Sequence, residues 1–368
     1  MSFDAFIYAN IWRISVLSLF HRHQIAEKTM RDKKIAVFYN PKQVLEKGTE
    51  NQTSKSPLKP RLMFEQLQLR LSEHIDVENT FSPFSKQEFL IAHEETYVDA
   101  VLTGTGLGNK GGLGYWNEGV PEYVAFTNAN LYNTIATSIR EPEKVCLSLT
   151  SGFHHARPSG GAGFCTFSGQ AIASVKLYRE LGLSGAYLDL DGHFGNSIED
   201  SRDFVSDLNK AVPLGFNINI GSNGARNDNY VAELKAKLDV LEKAILANQI
   251  HYVVWCHGAD SHEWDDLGGG CSTLHWLECS NYFYEWVKKI DEKLGRPLPL
   301  SASLFGGYRS DDYASVLNLH LGDVACCINT LLDEQIKFEV EVKQRRSDHA
   351  DKILVLSKRD QNKPSGLN

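Results

Sequence analysis

The sequence predicts an α/β fold: a single large domain with a central, mostly parallel sheet and helices on both faces. Three observations lead there. Short apolar runs of strand length recur along the chain, longer segments with helical spacing separate them, and no linker cuts the stretch from about residue 34 to 345. Strands that alternate with helices of this length form parallel sheets covered on both sides.

The elements follow in order. Residues 1–33 read as an N-terminal extension. Its most apolar run, Ala5 to Phe20, carries Arg13 and falls short of the ~20 apolar residues a membrane span needs. It also lacks the basic start and small-residue cleavage site of a secretory signal. It reads as an extension with no part in the chemistry, the alternative being an amphipathic helix docked on the body or on a membrane surface. Met30, before Arg31-Asp-Lys-Lys34, is a candidate alternative start. Ile35 to Tyr39 is the first strand, residues 41–60 a polar surface loop, and Arg61 to Leu71 a helix. Val145–Leu149, Ala186–Leu190, Tyr252–Cys256 and Leu298–Phe305 are further strands. Helices are expected at 169–181, 229–248, 273–293 and 312–333. The charged segment 346–368 reads as a flexible tail. The Gly-rich run from Gly104 to Gly114 follows no strand and lacks a closing Lys-Ser/Thr, so it is read as a surface loop and not a phosphate cradle.

Composition narrows the class. A chain of 368 residues with 42% hydrophobic and 23% charged residues can bury a full core, which excludes a disordered chain. The formal net charge of -8 argues against nucleic acid as a direct partner. Seven scattered cysteines with no C-x-x-C pair argue for a reducing compartment, and a cytoplasmic location is expected.

Four strand ends carry polar clusters. After Ala186–Leu190 comes Asp189-Leu-Asp-Gly-His-Phe-Gly-Asn196, where period-two alternation points Asp189, Asp191 and His193 the same way. Carboxylate and imidazole at that spacing suit a divalent metal. After Val145–Leu149 comes Ser151-Gly-Phe-His-His-Ala156, whose adjacent histidines can serve one site only if the chain turns, as Gly152 permits. Tyr252–Cys256 leads into Asp260-Ser-His-Glu-Trp-Asp-Asp-Leu-Gly268. Leu298–Phe305 leads into Gly306-Gly-Tyr308. Parallel sheets place their sites at the C-terminal ends of strands, and four such ends offering His-His, Asp/His, Asp and Tyr suit a metallohydrolase.

These segments resemble the histone deacetylase family, which includes acetylpolyamine amidohydrolases and has the arginase–deacetylase fold. The resemblance runs from about residue 35 to 335. It rests on Gly152-Phe-His-His-Ala156 with Gly163-Phe-Cys165, on Asp189 to Asn196 as D-x-D-x-H-H-G-[ND], on Asp260 to Gly268 as D-x-H-x-x-D-P-L-G, and on Gly306-Gly-Tyr308. It implies one zinc ion held by Asp191, His193 and Asp265, and a structural potassium near Asp189. It implies His155 as general base and acid, His154 as electrostatic support, Asp189 and Asn196 as their orienting partners, and Tyr308 as hydrogen-bond donor to the oxyanion. Gly163 and Phe164 would line an acyl-lysine channel. The implied substrate is an acetylated protein lysine, histone-like or other, or a small acetylated amine.

Three positions depart from the pattern. Phe194 replaces the second His of the Asp motif, Asp266 replaces the Pro after Asp265, and the turn around Asn217 to Gly224 matches poorly, which leaves the second channel wall unassigned. An arginase-type binuclear manganese site needs a carboxylate where this chain has Gly195. Glu118 and Glu122 are candidate rim acids for a peptide backbone or a polyamine. A catalytically silent scaffold is the non-enzymatic alternative.

Overall fold

The structure is a computed structural model and describes residues 30–46, 54–108, 110–221 and 224–356. The N-terminal run from Ala5 to Phe20 and the end of the expected tail lie outside the described residues. Seven strands form one sheet: β1 (Ile35–Phe38), β2 (Ile75–Glu78), β3 (Val145–Ser148), β4 (Gly185–Asp189), β5 (Asn217–Asn219), β6 (Tyr252–Cys256) and β7 (Leu300–Ser303). Their order is β2-β1-β3-β7-β6-β4-β5, and every pairing is parallel. The four strands that precede the polar clusters, β3, β7, β6 and β4, are therefore neighbours at the sheet centre.

Helices cover both faces, which is why the central strands are apolar along their whole length. In β6, Tyr252, Val254 and Cys256 join one core, with buried side chains of helices Val120–Arg140 and Gly169–Leu181. Val253 and Trp255 join the other, with helices Asp228–Leu246, Thr273–Leu294 and Tyr313–Leu331. The Trp255 ring stacks on Phe283 with centroids 3.9 Å apart. No helix among the described residues is long and apolar enough to cross a membrane.

Several expectations are corrected. The edge strands β2 and β5 escape the sequence reading because β2 exposes Asp76 and Val77 and β5 buries only Ile218. Helices Glu95–Thr103 and Val120–Arg140 are also additional; buried Asn128, Asn130, Thr134 and Ser138 obscure the apolar period of the second. The helix expected from Arg61 begins at Lys59, with Pro60 in its first turn, so the 41–60 loop is shorter than read. The Gly-rich run lies on the surface as expected but is anchored at points: Leu107 and Leu113 are buried, and a Cβ at Gly112 would lie 2.2 Å from the Cys165 carbonyl oxygen. The expected flexible tail also starts too early. β8 (Phe338–Lys343) and β9 (Ala350–Val355) form an antiparallel hairpin. Alternation in Phe338-Glu-Val-Glu-Val-Lys343 buries Phe338, Val340 and Val342, and Val340 packs over Gly322 of helix Tyr313–Leu331.

One buried imidazole ties the loops beneath the sheet. His93 accepts from Ser168 N–H at Nε2 (2.8 Å), and its Nδ1–H donates to the Arg157 carbonyl (2.9 Å). Burial pushes its pKa down to about 4. An unfolded chain binds the proton below about pH 6.5, whereas the folded chain does not until about pH 4, so this stability is complete above pH 6.5 and declines as pH falls. The unfolding free energy should drop between pH 7 and 5, by up to about 1.4 kcal/mol per unit for this group. His93→Gln, which keeps one donor and one acceptor, should flatten the slope of the denaturation midpoint against pH. An unchanged slope would remove His93 as its source.

Candidate active site

The chain turns sharply beyond β3. Gly152 has φ of +88°, and the two imidazoles that follow lie side by side, with centroids 4.0 Å apart. His154 Nδ1–H donates to Asp189 Oδ2 (2.8 Å), at the end of β4. His155 Nδ1–H donates to Asn196 Oδ1 (2.9 Å). The two partners separate the two groups. Burial disfavours a charge on His154, but Asp191, Asp189 and Asp260 together outweigh it and hold its pKa up to about 9. His155 is pushed down to about 4 by burial and by the neighbouring His154 charge.

Beyond β4 and β6 the carboxylates converge. Asp191 and Asp260 are both buried, while the His193 side chain between them is 37% exposed and open to solvent. His193 Nδ1 lies 3.1 Å from Asp191 Oδ1 and 2.9 Å from Asp260 Oδ2. Ligand atoms of these three residues all lie within 4.8 Å of one another, a possible metal site. The donor set of one imidazole and two carboxylates suits a divalent ion of the zinc type. Electrostatics agree, because two buried carboxylates in contact need positive charge between them. They hold His193 up to about 11 through its hydrogen bonds to Asp191 and then Asp260. Burial and the adjacent Asp191 raise Asp260 to about 8.

The cluster holds Asp260 rather than the expected Asp265, which is buried close beside it. The Asp265 oxygens are turned to the backbone, accepting from Leu267 N–H (2.9 Å) and Tyr308 N–H (2.7 Å). The second of these bonds ties Asp265 to the Gly306-Gly-Tyr308 loop. Asp266, at the expected proline, accepts from Ser310 N–H (2.9 Å) and pairs with Arg345 (3.1 Å), so a carboxylate ties this loop to the β8–β9 hairpin. Tyr308 is buried, with its ring 5.5 Å from Phe164 and 6.1 Å from His193. Burial and then Asp191 raise its pKa, so the hydroxyl stays a donor. Gly163 and Phe164 both adopt positive φ, and a Cβ on Gly163 would lie 2.6 Å from His155 Cδ2, so only glycine lets that imidazole in.

Two other expected residues have partners of their own. Both Asp189 side-chain oxygens accept hydrogen bonds, Oδ2 from His154 and Oδ1 from Asp191 N–H (3.1 Å). Glu122 pairs with Lys42 (2.8 Å) on the surface. Lys59 is the residue the sequence reading missed. Its side chain is fully buried and its Nζ donates to the Phe305 carbonyl, beneath the glycine loop. Burial lowers it to about 8, against the pull of Asp260, Asp191 and Asp265. The only sequence signal was a lysine beside Pro60 at a helix start.

Comparison with known proteins agrees with the motifs. A family model described as the histone deacetylase domain matches residues 54–207. "Histone deacetylase 8" of Xenopus laevis is 30% identical over 98 residues, which cover 26% of this chain and 30% of that protein. Its counterpart in Xenopus tropicalis is 29% identical over 98 residues, 26% of each. The chain thus matches less than a third of the length of these curated relatives. In fold, a crystal structure of the HDA15 HD domain superposes with a TM-score of 0.63 at 18% identity, over 82% of this chain and 89% of that one. The resemblance to the histone deacetylase family is therefore borne out, and with it the arginase–deacetylase type of fold.

The choice between the two acids is testable by metal content. Asp260→Ala should lose most of its bound metal, because three protein ligands leave no redundancy. Asp265→Asn should keep its metal and lower turnover by loosening the tyrosine loop. Full metal in Asp260→Ala with loss in Asp265→Asn would return the ligand role to Asp265.

Proposed function

We propose that the protein is a zinc-dependent hydrolase that removes the acetyl group from Nε-acetyl-lysine in proteins, releasing acetate and free lysine. One observation carries this reading. The His193 ring of the Asp191–His193–Asp260 cluster has its centroid 6.0 Å from that of His155 and 6.1 Å from that of Tyr308. A possible metal site with an imidazole and a phenol close by supports this reading, because amide hydrolysis needs a metal-bound water, a base and a hydrogen-bond donor.

Asp191, His193 and Asp260 would hold a divalent ion, and that ion would supply an acidified water and a polarised carbonyl. The chain's own residues do the rest. His155, neutral and held by Asn196, accepts a proton from the attacking water through Nε2 and returns it to the leaving amine. His154, kept charged by Asp189, supports the negative charge that develops. Tyr308 donates its hydroxyl hydrogen to the developing oxyanion. Gly163 and Phe164, with the Tyr308 ring 5.5 Å from Phe164, would line the acyl-lysine passage that the family resemblance implies.

One observation favours this over a binuclear alternative. A Cβ at Gly195 would lie 2.5 Å from Asp189 Oδ2 and 3.0 Å from His154 Nδ1, so the extra carboxylate of a binuclear manganese site does not fit. The test is a side-by-side assay of the zinc-loaded protein on acetyl-lysine peptides and acetylated polyamines. Peptides should turn over faster, and Tyr308→Phe should keep fold and zinc while losing about 10²–10³ in rate. Inactivity on both substrates, or near-normal turnover by Tyr308→Phe, would sink the reading.

A further inference from the structure

We propose that Asp200, held by Arg157, is a positioning residue that sets the tautomer of His155 by fixing which way the Asn196 amide faces. The proposal rests on the reading of His155 as the general base, and concerns two residues outside the motifs.

Asn196 sits at the N-cap of the short helix Ser197–Ser201, where an Asn side chain ordinarily caps the first turn. Here it makes no cap hydrogen bond. Both ends of its amide are used elsewhere. Oδ1 accepts from His155 Nδ1 (2.9 Å), and Nδ2–H donates to Asp200 Oδ2 (2.7 Å). Arg157 Nε lies 2.9 Å from the same Asp200 oxygen. Arg157 is two residues beyond His155, and its backbone is clamped in a turn with Gly160, through N–H···O contacts of 2.7 and 3.2 Å. The contacts close a ring that runs from His155 through Asn196, Asp200 and Arg157 back to the same loop.

The chemistry of each link is directional. An amide offers a donor at one end and an acceptor at the other, and alone it can flip. A carboxylate only accepts. Asp200 therefore selects the Nδ2 end of Asn196 and leaves Oδ1 for His155. An acceptor at 2.9 Å from Nδ1 requires a hydrogen on that nitrogen. The neutral ring then carries its lone pair on Nε2, as a base requires. A flipped amide would offer a donor to Nδ1, move the hydrogen to Nε2 and block it. Asp200 thus acts at one remove, as the outer partners of metal-bound histidines do.

The experiment is imidazole ¹⁵N spectroscopy on histidine-labelled protein, with kinetics of the zinc-loaded enzyme on an acetyl-lysine peptide. The His155 signal is assigned by its loss in His155→Gln. The wild type should show neutral His155 as the Nδ1–H tautomer. Asp200→Asn is isosteric but can present either end of an amide, so it should give a mixture of tautomers. Its kcat should fall by ~10-fold, within the ~10²–10⁴ that a general base contributes, with KM and Tm nearly unchanged. Asp200→Glu should restore both tautomer and rate. Arg157→Ala should fall between wild type and Asp200→Asn. Retention of a pure Nδ1–H tautomer in Asp200→Asn overturns the proposal, whatever happens to the rate. A tautomer shift without loss of kcat upholds it and removes His155 from the role of base, so the two readings fail separately.

Discussion

The site is organised by the contact between two buried carboxylates, Asp191 and Asp260. They come from neighbouring strands, β4 and β6, and meet at the C-terminal edge of the sheet. Such a pair is unstable in a dry environment without hydrogen bonds and compensating positive charge. The surrounding backbone is shaped to supply the first. Gly306 N–H donates to Asp191 Oδ2 (2.8 Å), and Gly192 N–H donates to Asp260 Oδ1 (3.0 Å). A Cβ on Gly306 would lie 2.4 Å from Asp260 Cγ, and one on Gly258 would lie 2.5 Å from Asp260 Oδ1. These glycines are there because backbone passes directly over the acids. The positive charge comes from His154, from Lys59 beneath, and either from a protonated His193 or from the ion for which the donor set is suited.

The same demand explains where the backbone is strained. Phe164 and Phe305 have φ of +63° and +53°, a region that costs a non-glycine residue about 1–2 kcal/mol. Both border the site. Phe305 stands edge-on to His154, with ring centroids 5.1 Å apart, and its carbonyl is the acceptor for buried Lys59. Lys59 thus meets two needs at one point, holding a strained turn and lending charge to the acids. Phe164 turns its ring towards Tyr308 just after Gly163 has made room for His155. Local strain is tolerated where the packing over-determines it.

The legible part of the fold was the central sheet. Strands buried on both faces read as unbroken apolar runs, and β3, β4, β6 and β7 stood out for that reason. Edge strands β2 and β5 carry no such signal, and the polar buried face of helix Val120–Arg140 hides its period. Side-chain direction was the least legible feature at the site. The segment after β6 holds four acids, two of them buried, Asp260 and Asp265, and spacing alone does not say which of the two meets Asp191 and His193. A clue was present: Asp260 follows the strand end by four residues, as early as the site residues after β4, whereas Asp265 comes later. Lys59 lies far from the motifs in sequence and reaches the site only through the fold. The β8–β9 hairpin was overlooked because charged residues alternate with the valines that bury it.

The most direct measurement is anomalous diffraction from crystals of the zinc-loaded protein, recorded on both sides of the zinc absorption edge. One peak per chain should appear within coordination distance of Asp191, His193 Nδ1 and Asp260, with Asp265 still bound to the Leu267 and Tyr308 amides. A fully loaded crystal with no peak between Asp191 and Asp260, or with Asp265 in the coordination sphere, would contradict the account.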